Sequence, residues 1–394
     1  MERLAAWVTR RHRALLWAGV PLVVVSAICV QRIALDDLFL TWFDESTPFR
    51  RDTDLAVSRM AGVYTLHYAL PAGGPGAVAE PAYLAQLDEF SAWLRAQPDV
   101  DHVYSLSDTV KRLHRSLLSD RPGAYRIPES RELAAQILLL YEMSLPYGLD
   151  LNHQIDVDRS ASQVIVTLKV ARATELRAVE ERVSGWLAAH APPTMHVRGT
   201  GIPILFAHLT KTNLQSMVVG TFVAFGLIAL ILVVTLRSVR LGLLSLVPNL
   251  VPIILAFGIW GVAVGEAGIA LAVVSAASLG LIVDATVHLL ARYESARREH
   301  RATARDAVRY ALCTAGNALW ISSLVLMAGF SVLAFSDFQA NAQFGLLVAL
   351  TIAAALAADF LLLPALLLVW APGAAAVPRA AEAPLALDGT SART

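Results

Sequence analysis

Six runs of apolar residues are distributed along the chain, one near its start and five in its second half. Each run has about 20 residues, which is the length an α-helix needs to cross roughly 30 Å of hydrocarbon. The predicted membrane spans are residues 14–34, 214–236, 241–263, 269–291, 312–335 and 343–370. Residues 213–371 are therefore expected to form a five-helix bundle. Residues 1–13 form a short N-terminus, and residues 372–394 are expected to be a disordered tail.

The long segment 35–212, between the first two spans, has a different pattern. Alternating or short apolar runs predict strands at 63–70, 100–106, 163–170 and 195–199. Helical spacing predicts helices at 81–97 and 173–189, and a helical insertion that reaches residue 147. The order strand, helix, strand, insertion, strand, helix, strand is typical of a ferredoxin-like split βαβ unit. We therefore predict an α+β membrane protein with six transmembrane helices, arranged one plus five around a large ferredoxin-like domain.

Composition supports the membrane assignment, and the distribution of arginines orients it. Hydrophobic residues make up 56% of the chain and charged residues only 16%, with no net charge. Basic residues cluster in 1–13, in 237–240 and in 292–309, whereas the loops near Glu266 and Asp337 have none. Since short cytoplasmic loops are rich in Lys and Arg, both termini are predicted to be cytoplasmic and segment 35–212 extracytoplasmic. The first run also resembles a signal peptide, but its length and the lack of an Ala-x-Ala site favour a span.

Two carboxylates interrupt the apolar runs and are the main candidates for function. Asp284 lies in the fourth span, with His288 one helical turn later, and Asp359 lies in the sixth span. An ionisable residue inside the bilayer costs roughly 2.5–3.5 kcal/mol on insertion scales and indicates a functional site such as a proton relay. Carboxyl and imidazole groups can both exchange protons in a physiological range. We predict that Asp284, His288 and Asp359 form such a relay.

Other polar residues of the bundle are expected to support this relay. At about 1.5 Å of rise per residue, Asp284 and Asp359 lie about 10 and 16 Å from the inner ends of their helices. The supporting polar residues, predicted at similar depth or on the same helix, are Asn249, Thr286, Ser322 and Ser323. Ala277 and Gly280 share the face of Asp284 and would let another helix approach closely. Each polar residue also has a structural alternative: Asn249 lies between two prolines, serines mediate helix packing, and His288 could simply meet lipid headgroups.

Several function classes are disfavoured. No Walker A run is present, which argues against ATP as the energy source. The histidines of segment 35–212 lack ligand-like spacing, and no nucleophile, metal or cofactor constellation is found there, so we predict a protein that is not an enzyme and that needs no cofactor or metal. Cys29 and Cys313 are predicted near opposite membrane faces, with no disulfide. No nucleic-acid partner is predicted.

The chain resembles one half of a resistance-nodulation-division (RND) superfamily exporter, most closely its hydrophobe-exporter and MMPL-like branch. The segments that carry the resemblance are 43–54, 199–201, 247–252, 283–288, 328–330 and 358–364. The resemblance implies a proton-relay role for Asp284, a porter role for the outer domain and a location in a bacterial inner membrane. The family often has Asp or Tyr directly after this acid, whereas this chain has Ala285.

Family members usually carry two such halves, and this chain resembles the second half. The resemblance therefore implies a second copy, or a separate first-half chain, as partner.

The predicted function is a proton-motive-force-driven exporter subunit for lipid-like or hydrophobic substrates, in contact with membrane lipid. Two alternatives stay open from the sequence. One is a non-transporting sterol-sensing or lipid-binding membrane module, and the other is an accessory subunit of protein secretion.

Overall fold

Helices that are long and apolar enough to cross a membrane dominate the computed structural model, which describes residues 1–35, 39–60, 62–121, 123–146, 150–169 and 172–370. Among these residues there are six such spans: Glu2–Val30, Ile202–Leu236, Val239–Ala263, Val273–Arg298, Ala304–Phe335 and Gln339–Trp370. Each overlaps one predicted span. The predicted disordered tail, 372–394, lies outside the described residues.

The elements, in chain order, are as follows. The helices are α1 (Glu2–Val30), α2 (Pro48–Arg59), α3 (Pro81–Arg95), α4 (Leu106–Leu117), α5 (Arg131–Ser144), α6 (Ala173–His190), α7 (Ile202–Leu236), α8 (Val239–Leu244), α9 (Leu246–Ala263), α10 (Ile269–Arg298), α11 (Ala304–Val332), α12 (Gln339–Ala357) and α13 (Leu363–Trp370). The strands are β1 (Ala34–Leu35), β2 (Tyr64–Pro71), β3 (Val100–Tyr104), β4 (Ala161–Leu168) and β5 (Glu266–Ala267).

Several spans depart from the predicted bounds. Helix α1 begins at Glu2, so the basic segment 1–13 is helical too. The third span is divided into α8 and α9 at Ser245. Helix α10 runs on to Arg298 and α11 begins at Ala304, so the arginine-rich segment 292–309 is divided between the end of one helix and the start of the next.

A π-helical turn, Ala358–Leu362, joins α12 to α13 within the sixth span. Pro364 is the local cause, because it has no N–H to donate to the carbonyl of Phe360 and its ring crowds that turn. The wider π turn lets the helix continue although the hydrogen bond to the carbonyl of Phe360 is missing. Single π turns of this kind often occur at functional sites, and this one contains Asp359.

The part between α1 and α7, here called the sheet unit, contains a three-stranded antiparallel sheet of order β2-β4-β3. Its strands and the helices α3 and α6 lie where the sequence predicted them. The predicted fourth strand, 195–199, is wrong: Pro193–Met195 form a 3-10 turn, and only Thr200 makes a single bridge to His67. Pro193 begins this turn, where its fixed φ is suitable, and the turn takes up the start of the predicted strand.

One apolar core holds the sheet unit together. Alternate residues of β2 and β4 are fully buried, as are the inner faces of α3 and α6. Phe90, Trp93 and Trp186 stack in this core, with ring centroids 5.2–6.4 Å apart. The core continues onto Ile204 and Ala207 at the start of α7, so the sheet unit and the bundle share apolar contacts.

Polar contacts fix the sheet unit to one end of the bundle. β1 pairs in parallel with β5, in the loop between α9 and α10, and Arg172 forms a 2.9 Å ion pair with Glu266 in the same loop. Asp44 accepts a 2.7 Å hydrogen bond from Gln339 Nε2 at the start of α12. Hydrogen bonds from Ser46, and then from Gln339, hold the pKa of Asp44 below its usual value. The sheet unit therefore contacts the two loops of the bundle, near Glu266 and Asp337, that have no basic residues.

Close contact between α1 and α9 depends on glycine. A Cβ at Gly258 would lie 2.6 Å from Ser26 Cβ and 2.7 Å from the Ser26 carbonyl oxygen. Small residues at helix interfaces let backbones approach in this way. Gly226, in α7, is a contrast, because a Cβ there would meet nothing within 4 Å.

We predict that Gly258→Ala destabilises the bundle by about 1–3 kcal/mol, the range for overpacking a tight contact. Gly226→Ala is the matched control and should leave stability unchanged or slightly raised, since alanine favours a helix by about 1 kcal/mol over glycine. Unfolding of both variants in detergent micelles measures the difference. Equal stability of the two variants would contradict the close α1–α9 packing.

Candidate functional site

Three buried polar side chains meet where α9, α10 and the π turn pack together. Asn249, Thr286 and Asp359 have at most 1% of their surface exposed. Thr286 Oγ1 lies 3.0 Å from Asn249 Oδ1 and 2.8 Å from Asp359 Oδ1. This buried triad joins three of the six spans. It brings together Asp359, which was predicted as a relay acid, with Asn249 and Thr286, which were predicted as supporting polar residues.

The orientation of Asn249 in this triad is fixed by its own helix. Asn249 Nδ2 donates a 2.8 Å hydrogen bond to the carbonyl oxygen of Ser245. The amide oxygen therefore faces Thr286 and can only accept a hydrogen bond. Pro252 leaves the carbonyl of Pro248 without its usual helical donor, so this part of α9 is locally rich in polar groups.

The number of protons in the triad defines the state of Asp359. Thr286 has one hydroxyl proton but two neighbouring acceptors, Asn249 Oδ1 and Asp359 Oδ1. If Thr286 donates to Asn249, then Asp359 must itself donate to Thr286 Oγ1, which requires a protonated carboxyl group. The other carboxyl oxygen, Oδ2, is buried and has no hydrogen-bond partner among the described residues. A neutral acid tolerates such a place far better than a carboxylate does.

Asp284 and His288 lie on the opposite face of α10. Asp284 precedes Thr286 by two residues, which at 3.6 residues per turn is a rotation of about 200°. Their side chains are 73% and 62% exposed, and His288 Nε2 lies 3.4 Å from Asp284 Oδ1. The structure therefore joins Asp284 to His288 but separates this pair from the triad.

The small residues beside Asp284 are open as well. Ala277 and Gly280 are exposed, and a Cβ at Gly280 would meet nothing within 4 Å. The outer face of α10, made of Ala277, Gly280, Asp284 and His288, thus has room for a helix from outside this chain.

Ser322 and Ser323, the remaining predicted residues, form no hydrogen bond with the triad in the part of the chain that the structure describes. Ser322 Oγ donates to the carbonyl of Leu319 in its own helix, at 3.1 Å, and its surface is exposed. Ser323 is half-buried. Their part in a polar path stays a prediction. No group of three or more His, Cys, Asp or Glu side chains suited to a metal ion occurs among the described residues.

Sequence reasoning gave Thr286 only a supporting role, whereas the structure places it at the centre of the triad. One signal in the sequence points to it: Thr286 is two residues from Asp284, hence on the other face of the helix.

The model of the MMPL family matches residues 151–384, which include the triad, the outer face of α10 and most of the bundle. The chain belongs to the MMPL family. Membership identifies a membrane protein, in agreement with the six helices that are long and apolar enough to cross a membrane.

One curated relative is the protein named "Putative membrane protein MJ1562", from Methanocaldococcus jannaschii. It is 27% identical over 178 residues, which is 45% of this chain and 46% of the relative. The aligned segment thus spans about half the length of that relative.

We predict that the protein at neutral pH shows the infrared carbonyl stretch of a protonated carboxylic acid, because the hydrogen bonds of the triad require a proton on Asp359. The band should disappear in Asp359→Asn and persist in Asp284→Asn, the matched acid-to-amide change on the outer face. Difference infrared spectroscopy of the protein in liposomes measures it. A band that survives in Asp359→Asn would show that the proton resides elsewhere.

Loss of the Thr286 hydroxyl should also be measurable. Thr286→Val keeps the shape of the side chain but leaves Asp359 Oδ1 and Asn249 Oδ1 without a partner, so we predict a loss of about 1–3 kcal/mol in unfolding free energy. Thr286→Ser is the control, since it keeps the hydroxyl. If both variants lost the same stability, packing rather than hydrogen bonding would account for the effect.

Proposed function

We propose that the protein is a proton-motive-force-driven exporter of lipid-like or hydrophobic molecules, in a bacterial inner membrane. The observation that carries this proposal is the Asp284–His288 pair on an open face of a membrane-spanning helix. An ionisable residue at such a depth is expected to face a wet path or a polar partner, and proton relays are a common reason for its presence.

The geometry of the pair supports a direction for the proton. His288 follows Asp284 by one helical turn toward the arginine-rich end of α10, which is the predicted cytoplasmic end. A proton that enters from the outside would bind the Asp284 carboxylate, pass to the imidazole of His288 and leave toward the cytoplasm. The inward flow of protons along their gradient would supply the energy for outward transport.

The buried triad would couple this proton to the bundle. Thr286 lies on the same helix as Asp284 and is hydrogen-bonded to the third and sixth spans. A small rotation of α10 after protonation of Asp284 would therefore strain the bonds to Asn249 and Asp359. Asp359, which has the proton in this arrangement, would be the second acid of the relay.

A second six-helix bundle would complete the site. The outer face of α10 has small residues around an acid, which suits close approach of another helix. We propose that this bundle comes from a second copy or from a separate first-half chain, and that it supplies the polar partner that Ala285 does not provide.

An apolar crevice supports the choice of substrate. It has a volume of about 400 Å³ and lies between α1, α7, α9 and α10. Its lining is almost entirely apolar, with Met217, Phe222 and Phe257 among its side chains. Ile33 and Gly268, next to β1 and β5, place its mouth near the sheet unit. A lipid-like molecule could thus pass from the membrane toward the sheet unit, which we propose acts as an extracytoplasmic porter-type domain with a ferredoxin-like arrangement.

A lipid-sensing module is the second candidate, and the triad favours it. Asp359 is fully buried and bonded to Thr286, so this acid has no visible path to water in the described part of the chain. A dry and static acid suits a bundle that binds lipid without moving protons. Proton flux separates the two functions.

The test is proton-coupled efflux of a fluorescent phospholipid from membrane vesicles that contain the protein, under an imposed pH gradient. We predict that Asp284→Asn lowers both lipid efflux and proton flux to the level of vesicles without the protein, because the amide cannot bind a proton. Glu299→Gln is the matched control, since it makes the same chemical change at an exposed position just beyond α10. Unchanged flux in Asp284→Asn would refute the relay role, and lipid binding without proton flux in the wild type would favour the sensor.

A further inference from the structure

A second cavity opens at the arginine-rich end of the bundle, on the far side from the sheet unit. Its volume is about 740 Å³, and it lies between the turn that joins α7 to α8, the last turns of α10 and the end of α13. Neither the relay nor the apolar crevice uses any of its residues. Its lining is polar on one side and apolar on the other.

Positive charge dominates the polar side of this arginine cavity. Four arginines, Arg237, Arg240, Arg297 and Arg298, line it together with one acid, Glu294, which leaves three net positive charges. Arg298 forms an ion pair with Glu294 and also donates to the carbonyl of Leu236.

Two of these arginines are available to an anion. Arg237 and Arg240 are exposed, and neither has an ion pair or a side-chain hydrogen bond within the part of the chain that the structure describes. Arginine donors in a planar fork suit phosphate oxygens, which they can bind in pairs.

The backbone holds these two side chains at the mouth of the arginine cavity. Arg237 caps the end of α7 in the left-handed conformation, at φ +47°, so the chain reverses sharply there. Ser238 then caps α8 by accepting a bond from Leu241 N. Gly242 lets α8 fold back onto α7, since a Cβ there would lie 2.9 Å from the Val233 nitrogen. The backbone positions of Arg237 and Arg240 are therefore set by this short turn between α7 and α8.

The apolar side of the cavity extends into the membrane region. Leu243 and Trp370 line it and are 55% and 70% exposed. Tryptophan is typical of the membrane interface, where one part of the ring meets headgroups and the other meets acyl chains. Arginines next to exposed leucine and tryptophan therefore match both parts of a phospholipid: the arginines suit the anionic headgroup, and the apolar side chains suit the acyl chains. Basic pockets between membrane helices on the cytoplasmic side suit anionic headgroups.

We propose that the arginine cavity binds one anionic phospholipid of the leaflet at this end of the bundle. Arg237 and Arg240 would bind the phosphate, and Leu243 and Trp370 would contact an acyl chain. The lipid would join α10, which carries Asp284 and Thr286, to α13, which follows the π turn of Asp359. This site does not depend on the proposed transport function, because its lipid is a bound partner rather than a transported substrate.

Native mass spectrometry or thermal shift of the detergent-purified protein, with added dioleoyl phosphatidylglycerol, tests the proposal. Dioleoyl phosphatidylcholine tests the need for net charge, and inorganic phosphate tests the need for the acyl chains. We expect the wild type to bind and be stabilised by phosphatidylglycerol, with little response to the other two ligands. The double variant R237Q/R240Q should bind it roughly thirtyfold more weakly, about 2 kcal/mol for two basic residues near an anionic lipid.

The matched control is R301Q/R305Q, which removes two exposed arginines that do not line the cavity, one between α10 and α11 and one in the first turn of α11. Arg301 also has the left-handed conformation of Arg237, at φ +47°, so the backbone demands are alike. Leu243→Glu is a further variant that keeps both arginines but adds a negative charge to the cavity, and it should weaken phosphatidylglycerol binding as well. Equal losses in the two double variants, or displacement of the lipid by inorganic phosphate, or equal binding of phosphatidylcholine, would overturn the proposal.

Discussion

A polar group inside an apolar helical bundle must find its hydrogen-bond partners within the protein, and α10 meets this constraint in two different ways. On its inner face, Thr286 is bonded to both Asn249 and Asp359. On its outer face, Asp284 pairs with His288, four residues along the same helix. The inner face is therefore closed, and the outer face is open toward whatever surrounds this bundle.

The two ends of the bundle also differ in the contacts they offer. At one end, the sheet unit rests on loops without basic residues, through β1–β5 pairing, Arg172–Glu266 and Asp44–Gln339. At the other end, arginines surround a cavity that is open to the membrane surface. The proposed path of the proton along α10 runs between these ends. In a transport cycle, α10 would thus connect the sheet unit at one end of the bundle to the arginine cavity at the other end.

The sequence predicted the elements whose signal is local, and it failed where partners decide the structure. Long apolar runs identified all six spans, because length and hydropathy alone determine whether a helix can cross a membrane. Alternation identified β2 and β4, but the predicted strand at 195–199 is replaced by a 3-10 turn and a single bridge at Thr200. Helical depth put Asn249 and Asp359 at a similar level, and in the structure both lie against Thr286. Depth could not show that Asp284 faces away from them, because this depends on how α10 is rotated in the bundle. The central place of Thr286 needed the actual packing of three helices.

The π turn around Asp359 has a mechanical consequence. Such a turn contains one residue more than the α-helical hydrogen-bond pattern requires. Its return to a regular α-helix would shift the chain on one side of it by one residue, a rotation of about 100°. If α13 were held in place, α12 and Asp359 would rotate, and the carboxyl group would leave Thr286 for a different face of the helix. The sixth span therefore contains a one-residue register step, located at the acid itself, through which a change in helix winding could expose or bury a proton.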